Sequence, residues 1–290
     1  MTDLLRERAP AKVNLTLHVL GRRHDGYHDL ESLVAFAGCS DLLILTPSAH
    51  PSLTVSGPTA TAAGGGHENL VWKALEAVRQ RREGVRAGSL HLVKRLPVAA
   101  GLGGGSSDAA AALRLLARLN DWPLDDPLLM EVACLTGADV PVCMEPSARM
   151  MRGVGDVLGA ALEIPPMFAV LVNPGVGVST PAVFRALGYE PGCRFENHAH
   201  PSLERVQNDS LRAILQGAQN HLQPPAMGLE PAIETVCKAL LSEAGCWLVR
   251  MSGSGATVFG LFDDCHQAAK AARNIAASHP GWWARPTLLR

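Results

Sequence analysis

Pro97-Val-Ala-Ala-Gly101-Leu-Gly-Gly-Gly105-Ser-Ser107 runs directly into Asp108-Ala-Ala-Ala-Ala-Leu113. Clustered glycines admit φ > 0 conformations that turn successive backbone N–H groups toward one point, and no side chains obstruct them. The Ala/Leu-rich stretch from Asp108 to Asn120 has strong helix propensity. The amino end of such a helix adds partial positive charge to the free amides, which makes the segment an anion cradle. Ser106 and Ser107 can cap the helix or donate to a phosphate or a metal-bound water. The chain has no Gly-Lys pair for a Walker loop, and Ser106 stands where a dinucleotide fingerprint starting at Gly101 needs its last glycine. An ordinary glycine turn before a capped helix is the alternative reading, so the rest of the chain must decide.

Ser89 to Lys94 reads as a strand in front of this loop, giving the order strand, glycine loop, helix. Near the amino end, Ala11 to Val19 alternates polar and apolar residues, which predicts a half-buried strand with Lys12, Asn14, Thr16 and His18 on one face. Leu33 to Ala37 and Asp41 to Leu45 predict two further strands. Val71, Ala74, Leu75 and Val78 recur at helical spacing within Asn69 to Arg82, a helix announced by Gly64-Gly-Gly66. Pro165-Pro166 interrupts regular structure before a strand at Phe168 to Val172, and places a domain border that separates 1–164 from 165–290. Pro191 to Ser202 reads as an irregular surface loop.

At 290 residues, 47% apolar and 18% charged, the chain can bury a core, which excludes a disordered or low-complexity protein. Twenty-six Lys+Arg balance 27 Asp+Glu to a net charge of -1, so no chain-wide field exists for nucleic acid or an anionic membrane. Small-molecule partners are expected, and near-neutrality leaves monomer and homodimer both open. Seven scattered cysteines without a C-x-x-C pair point to reduced thiols and a cytoplasmic setting. The first ten residues mix acids and bases and carry no export signal, and the apolar runs are strand-length.

Three more features supply the missing context: Pro10-Ala-Lys-Val-Asn-Leu15, His24-Asp-Gly-Tyr-His28 and Thr136-Gly-Ala-Asp-Val-Pro141. With the loop at Pro97 and a second glycine segment, Met251-Ser-Gly-Ser-Gly-Ala-Thr257, the chain resembles the GHMP kinases, ATP-dependent small-molecule kinases. The likeness runs from about Ala9 to Asp263 and is weakest between Gly188 and Arg205. It implies an α+β, two-domain GHMP-kinase fold with mixed sheets and the glycine-rich phosphate loop at a helix N-terminus. ATP would lie between the domains, with substrate contacts from both. The combination of motifs resembles the branch that phosphorylates the 2-hydroxyl of a methylated alcohol carrying a cytidine diphosphate group, in the non-mevalonate isoprenoid route. Other GHMP kinases act on mevalonate or homoserine, and a nucleotide sensor that lost turnover is the alternative of a different class.

Phosphoryl transfer needs phosphates held, charge neutralised and the acceptor hydroxyl aimed in line beside a base. The resemblance assigns ATP to Pro97, Val98, Ala99, Ala100, Gly101, Leu102, Gly103, Gly104, Gly105, Ser106 and Ser107, with Asn69 near the adenine, although an Asn before a helix is also its natural cap. It makes Asp139 the base and Lys12 the cation beside it; alone, the first would read as a turn residue and the second as a solvated lysine. Asn14 would orient the substrate. Tyr27 and Phe184 would sandwich the cytosine, with His28 on its polar edge and Thr180 nearby, while core packing is the plain reading of Phe184. Mg²⁺ is expected with ATP; Ser107 is its candidate partner, no carboxylate ligand can be singled out, and two His flanking a Gly do not make a metal site. Asp156 stands where the family more commonly has Glu, keeping the acid one carbon shorter.

Overall fold

The structure, a computed structural model, describes residues 4–201 and 208–290. Ser202, the last residue of the predicted loop, and Arg205 lie outside them. In chain order the elements are β1 (Leu5–Asn14), β2 (His18–Arg22), β3 (His28–Pro47), β4 (Ser52–Ser56), α1 (Ala60–Ala63), α2 (Leu70–Arg81), β5 (Gly88–Val93), α3 (Gly104–Asn120), α4 (Pro127–Thr136) and α5 (Val140–Met144). There follow β6 (Arg149–Gly153), β7 (Val157–Leu158), β8 (Met167–Asn173), α6 (Thr180–Ala186), α7 (Asn208–Gly217), α8 (Gln223–Leu229), α9 (Ala232–Leu241), β9 (Cys246–Met251), β10 (Val258–Phe262), α10 (Cys265–Ser278) and β11 (Trp283–Leu289). They form two compact units, each assembled from separated segments. The first takes residues up to Lys12, Cys39–Val98 and Gly103–Pro146; the second takes Val13–Gly38, Ala99–Leu102 and the chain from Ser147 onward.

In the first unit the carboxyl half of β3 pairs antiparallel with β5, and β4 adds to β5 in parallel. Along β5 the buried residues alternate, so Leu90 and Leu92 face inward, as a half-buried strand requires. Helix α2 buries the four residues whose spacing predicts it, Val71, Ala74, Leu75 and Val78. Helix α3 buries every residue from Ser107 to Ala117; its run of alanines has no side chain long enough to hold the neighbouring elements away.

The second unit carries β9, β10, β8 and β11 in an antiparallel array, while β2 and β6 flank the amino half of β3. Its core gathers Val170, Val172, Ile233, Val236, Leu240, Val258, Phe262 and Ile275. Parallel and antiparallel pairings coexist, so the α+β class with mixed sheets holds.

Three expectations need correction. β3 is one strand of 20 residues, where two were expected. Between the two expected strands the bare Cα of Gly38 lets the β11 residue Thr287 approach, with Oγ1 3.3 Å from where a Cβ would stand. β1 begins at Leu5 and ends at Asn14, and from Ala11 to Asn14 it is buried on both faces rather than one. The polar face stays dry because its side chains find partners: Asn14 Nδ2 donates to Ser32 Oγ at 2.8 Å, and Lys12 is ion-paired. Finally, α3 starts at Gly104, so Ser106 and Ser107 lie inside its first turn and cap nothing.

Arg250 on β9 is 6% exposed, and burial lowers its pKa to about 10, so it remains a cation at neutral pH. Its guanidinium donates to the carbonyls of Leu15, Leu215 and Ala218 at 2.7–2.8 Å. Arg250→Met strands those three acceptors. We expect the unfolding free energy to fall by about 3 kcal/mol, given roughly 1–3 kcal/mol per orphaned group. Urea unfolding followed by circular dichroism measures it, and an unchanged midpoint would contradict this account.

Candidate active site

The loop Pro97–Gly105 places Gly101 at φ 75° and Gly103 at φ 58°, both left-handed. Gly103 is the N-cap of α3 and supplies no capping side chain. Ser107 N donates to Gly103 O at 2.8 Å, and the amides before it in the first turn have no intrahelical acceptor. The Ser107 hydroxyl is buried with no partner. A helix start with bare amides, a left-handed glycine and an orphaned hydroxyl fits a bound phosphate.

In the first unit Lys12 Nζ lies 2.9 Å from Asp139 Oδ2. The lysine side chain is 5% exposed and the aspartate side chain 39%, so the cation is held inside and the carboxylate faces outward. Asp139 lies in the turn into α5 at its N-cap, and its side chain makes no cap bond. The lysine stem runs against Gly103, with Cβ and Cε 3.3 Å from where a Cβ there would stand. Gly103 thus serves twice, as a left-handed residue and as a gap for Lys12.

In the second unit the segment Met251–Thr257 closes on the loop. Ser252 Oγ donates to Gly101 O at 2.8 Å and accepts from Asn14 N at 3.0 Å, while Thr257 N donates to Ala100 O at 3.1 Å. A side chain on Gly101 would collide with the Ser252 carbonyl. Asn220 holds that segment, donating to Met251 O and Gly253 O at 2.8 Å each. Ser252 and Asn220 were not among the sequence candidates. The first lies in the quoted glycine segment; the second is far along the chain, and nothing local marks it.

The aromatic candidates also fall in the second unit. The rings of His28 and Phe184 meet tilted, 4.8 Å between centroids, and burial, then Arg22, lowers the His28 pKa. Tyr27 is 65% exposed, a free aromatic face beside that pair in sequence. Thr180 Oγ1 and Ser254 Oγ share a hydrogen bond of 2.7 Å. Asn69 caps α2: its side chain accepts from Val71 N at 3.0 Å and donates to Gly64 O at 2.9 Å. Asp156 Oδ1 accepts from Val154 N at 3.1 Å, a local turn bond.

Within the predicted irregular loop, Phe195 and His198 extend a chain of rings. Tyr189 meets His28 at 6.3 Å and Phe195 at 4.7 Å; Phe195 stacks on His198, which meets His221, and His221 meets His18. His18 Nδ1 donates to His198 O at 2.8 Å while its Nε2 accepts from Gln219 N at 3.1 Å. His221 Nδ1 accepts from Val19 N at 3.1 Å. Each ring uses a bare nitrogen as acceptor, which protonation would destroy. Burial lowers the pKa of His18, and burial with the neighbouring His18 and His198 lowers His221 to about 4.

Comparison with known proteins identifies two family matches: GHMP kinases N terminal domain over residues 69–145 and GHMP kinases C terminal over residues 199–281. The chain is 59% identical over 289 residues to 4-diphosphocytidyl-2-C-methyl-D-erythritol kinase of Methylobacterium radiotolerans, covering 99% of both. It is 58% identical to the protein of the same name from Xanthobacter autotrophicus, covering 99% of this chain and all of that one. A crystal structure of 4-(cytidine 5'-diphospho)-2C-methyl-D-erythritol kinase superposes with TM-score 0.77 at 34% identity, covering 98% of this chain and 99% of that one.

Histidines whose folded pKa lies below the unfolded value stabilise the neutral form, so their contribution is present above about pH 6.5 and is lost as the pH falls toward 4. Thermal unfolding scanned from pH 7 to pH 5 should show a falling midpoint, with a shallower fall in His221→Gln. A flat native profile, or identical slopes, would contradict the ring assignment.

Proposed function

The chain belongs to the 4-diphosphocytidyl-2-C-methyl-D-erythritol kinases of the GHMP kinase superfamily, and we propose that it works through Lys12 and Asp139 as the reacting pair. It is an ATP-dependent small-molecule kinase, and its substrate is an alcohol bearing a cytidine diphosphate. The observation that carries the assignment of residues is the Lys12–Asp139 pair, whose lysine stem also runs along Gly103 of the phosphate loop.

On this reading residues 1–164 carry the ATP-binding part and 165–290 the substrate-side part. The amides of Gly104, Gly105 and Ser106 receive phosphate oxygens, and Ser107 is a candidate donor to phosphate or to a magnesium-bound water. Bound ATP supplies the phosphoryl group, and its Mg²⁺ offsets the phosphate charge. Asp139, not engaged in a cap, accepts the proton of the 2-hydroxyl at a carboxylate oxygen as that hydroxyl attacks. Lys12 holds Asp139 in place and offers positive charge to the developing oxyanions. Asn14, whose amide is itself fixed by Ser32, orients the substrate.

Tyr27 and Phe184 supply the stacking faces for the cytosine and His28 its polar edge, with Thr180 nearby. Charged nucleotide substrates that do not cross membranes fit a cytoplasmic location, and no helix of the described residues is long and apolar enough to span one.

Release of ADP with ATP and Mg²⁺ is the direct test, using the cytidyl methylerythritol, mevalonate and homoserine as acceptors. Turnover is expected with the first alone. Asp139→Asn should lower kcat by roughly 10²–10⁴ with little change in KM, the range for loss of a general base. Equal turnover on another alcohol would overturn the substrate assignment, and full activity in Asp139→Asn would overturn the base. Tyr27→Ala should raise KM for the cytidyl substrate about tenfold at nearly constant kcat, since a base stack contributes about 1–3 kcal/mol; an unchanged KM would remove Tyr27 from the site.

A further inference from the structure

Arg114 on α3 is a buried cation, 6% exposed, that the mechanism does not use. Its guanidinium reaches two other elements of the first unit at once. Nη1 donates to the carbonyl of Cys143 at 2.6 Å and to that of Met144 at 3.5 Å, the last two residues of α5. Nη2 donates to the carbonyl of Arg8 at 2.9 Å and Nε to Glu7 Oε1 at 3.1 Å, both on β1. The second oxygen of Glu7 accepts from Arg118 Nη1 at 3.2 Å, so two arginines of α3 hold one carboxylate of β1.

The three elements joined in this way carry the groups assigned to the reaction. α3 opens with the amides that receive phosphate, β1 carries Lys12, and α5 has Asp139 at its N-cap. Ser107 and Arg114 stand seven residues apart on α3, which is two turns along one helical face and a rise of about 10 Å. Every residue in that interval is buried, so the helix is a packed rod with the phosphate cradle at one end and the guanidinium further along it.

Helix α5 has only five residues, so its closing carbonyls have no intrahelical donor and take theirs from Arg114. At its other end the Asp139 side chain makes no cap bond, and its place rests on the backbone of α5 and on the ion pair with Lys12. A guanidinium taken out of water is costly, and an apolar residue of similar volume fills the same space without that cost. What the planar fork adds is a fixed geometry among its partners.

Building on the reading of Lys12 and Asp139 as the reacting pair, we propose that Arg114 is a positioning residue for phosphoryl transfer. It ties α5 and β1 to the helix whose first turn holds the phosphate, and thereby sets the Asp139 carboxylate at its distance from the transferred group. Arg114 acts through the base, so its loss is read in kcat and not in the binding of either substrate. Misplacement of reacting groups by about 1 Å costs on the order of 10²-fold in rate.

The test is a double-mutant cycle in kcat between Arg114 and Asp139, run on the full chain with Mg²⁺, the cytidyl methylerythritol and ATP labelled in its γ-phosphate, so that slow variants stay measurable. Arg114→Met should lower kcat about 10–100-fold, with KM for either substrate within about twofold. In an Asp139→Asn background the same substitution should cost no more than about threefold, because the base that Arg114 places is already gone. Arg114→Lys keeps a cation without the fork and should fall between the native chain and Arg114→Met; it takes the place of Arg114→Met in the cycle where thermal melting shows the latter unfolded. An equal fall in both backgrounds, a loss expressed in KM, or an unchanged kcat would overturn the proposal and leave Asp139 as the base. Native kcat in Asp139→Asn alone would overturn the base assignment and this proposal with it.

Discussion

An ammonium group removed from water needs an opposite charge or a full set of acceptors, and Lys12 finds its charge in Asp139 at 2.9 Å. Much of the first unit follows from that constraint. From Ala11 to Asn14, β1 can be buried on both faces because Lys12 is paired. Asp139 must stand at the turn into α5 with its carboxylate free of capping duty. Gly103 must lack a side chain for the lysine stem to pass. The pairing also leaves the carboxylate partly exposed while its counter-charge is locked, an arrangement suited to a base that meets a substrate rather than to a purely structural bridge.

The glycine segments answer a second constraint, the need to present backbone amides at close range. In the second unit Ser252 ties Asn14 to Gly101, and Asn220 holds the carbonyls of Met251 and Gly253, so a backbone rich in glycine is kept in one conformation by side chains outside it. Ordering such a segment costs more entropy than ordering any other, and buried hydrogen bonds are what offset it.

Local pattern sufficed where the interaction is local. The spacing of Val71, Ala74, Leu75 and Val78 marked α2, Ser89–Lys94 marked β5, and the glycine run before an alanine-rich stretch marked the start of α3. Alternation misjudged β1, because polar residues that find buried partners look the same in sequence as residues that meet water. Nothing local joins Leu33–Ala37 to Asp41–Leu45 as one strand, since the Thr287 that packs at Gly38 comes from the far end of the chain. The roles of Lys12 and Asp139 came from family resemblance, and the structure adds their ion pair. Asn220 and the ring ladder through Tyr189, Phe195 and His198 left no local trace, since their partners are set by tertiary contacts alone.

The central claim is that the amides opening α3 hold the transferred phosphate while Asp139 receives the proton of the acceptor hydroxyl. A crystal structure with a non-hydrolysable ATP analogue, Mg²⁺ and the cytidyl methylerythritol measures it directly. The account predicts terminal phosphate oxygens on the amides of Gly104–Ser106 and the 2-hydroxyl oxygen within hydrogen-bonding distance of an Asp139 carboxylate oxygen. A phosphate bound away from that turn, or an acceptor hydroxyl facing a different acid, would contradict it.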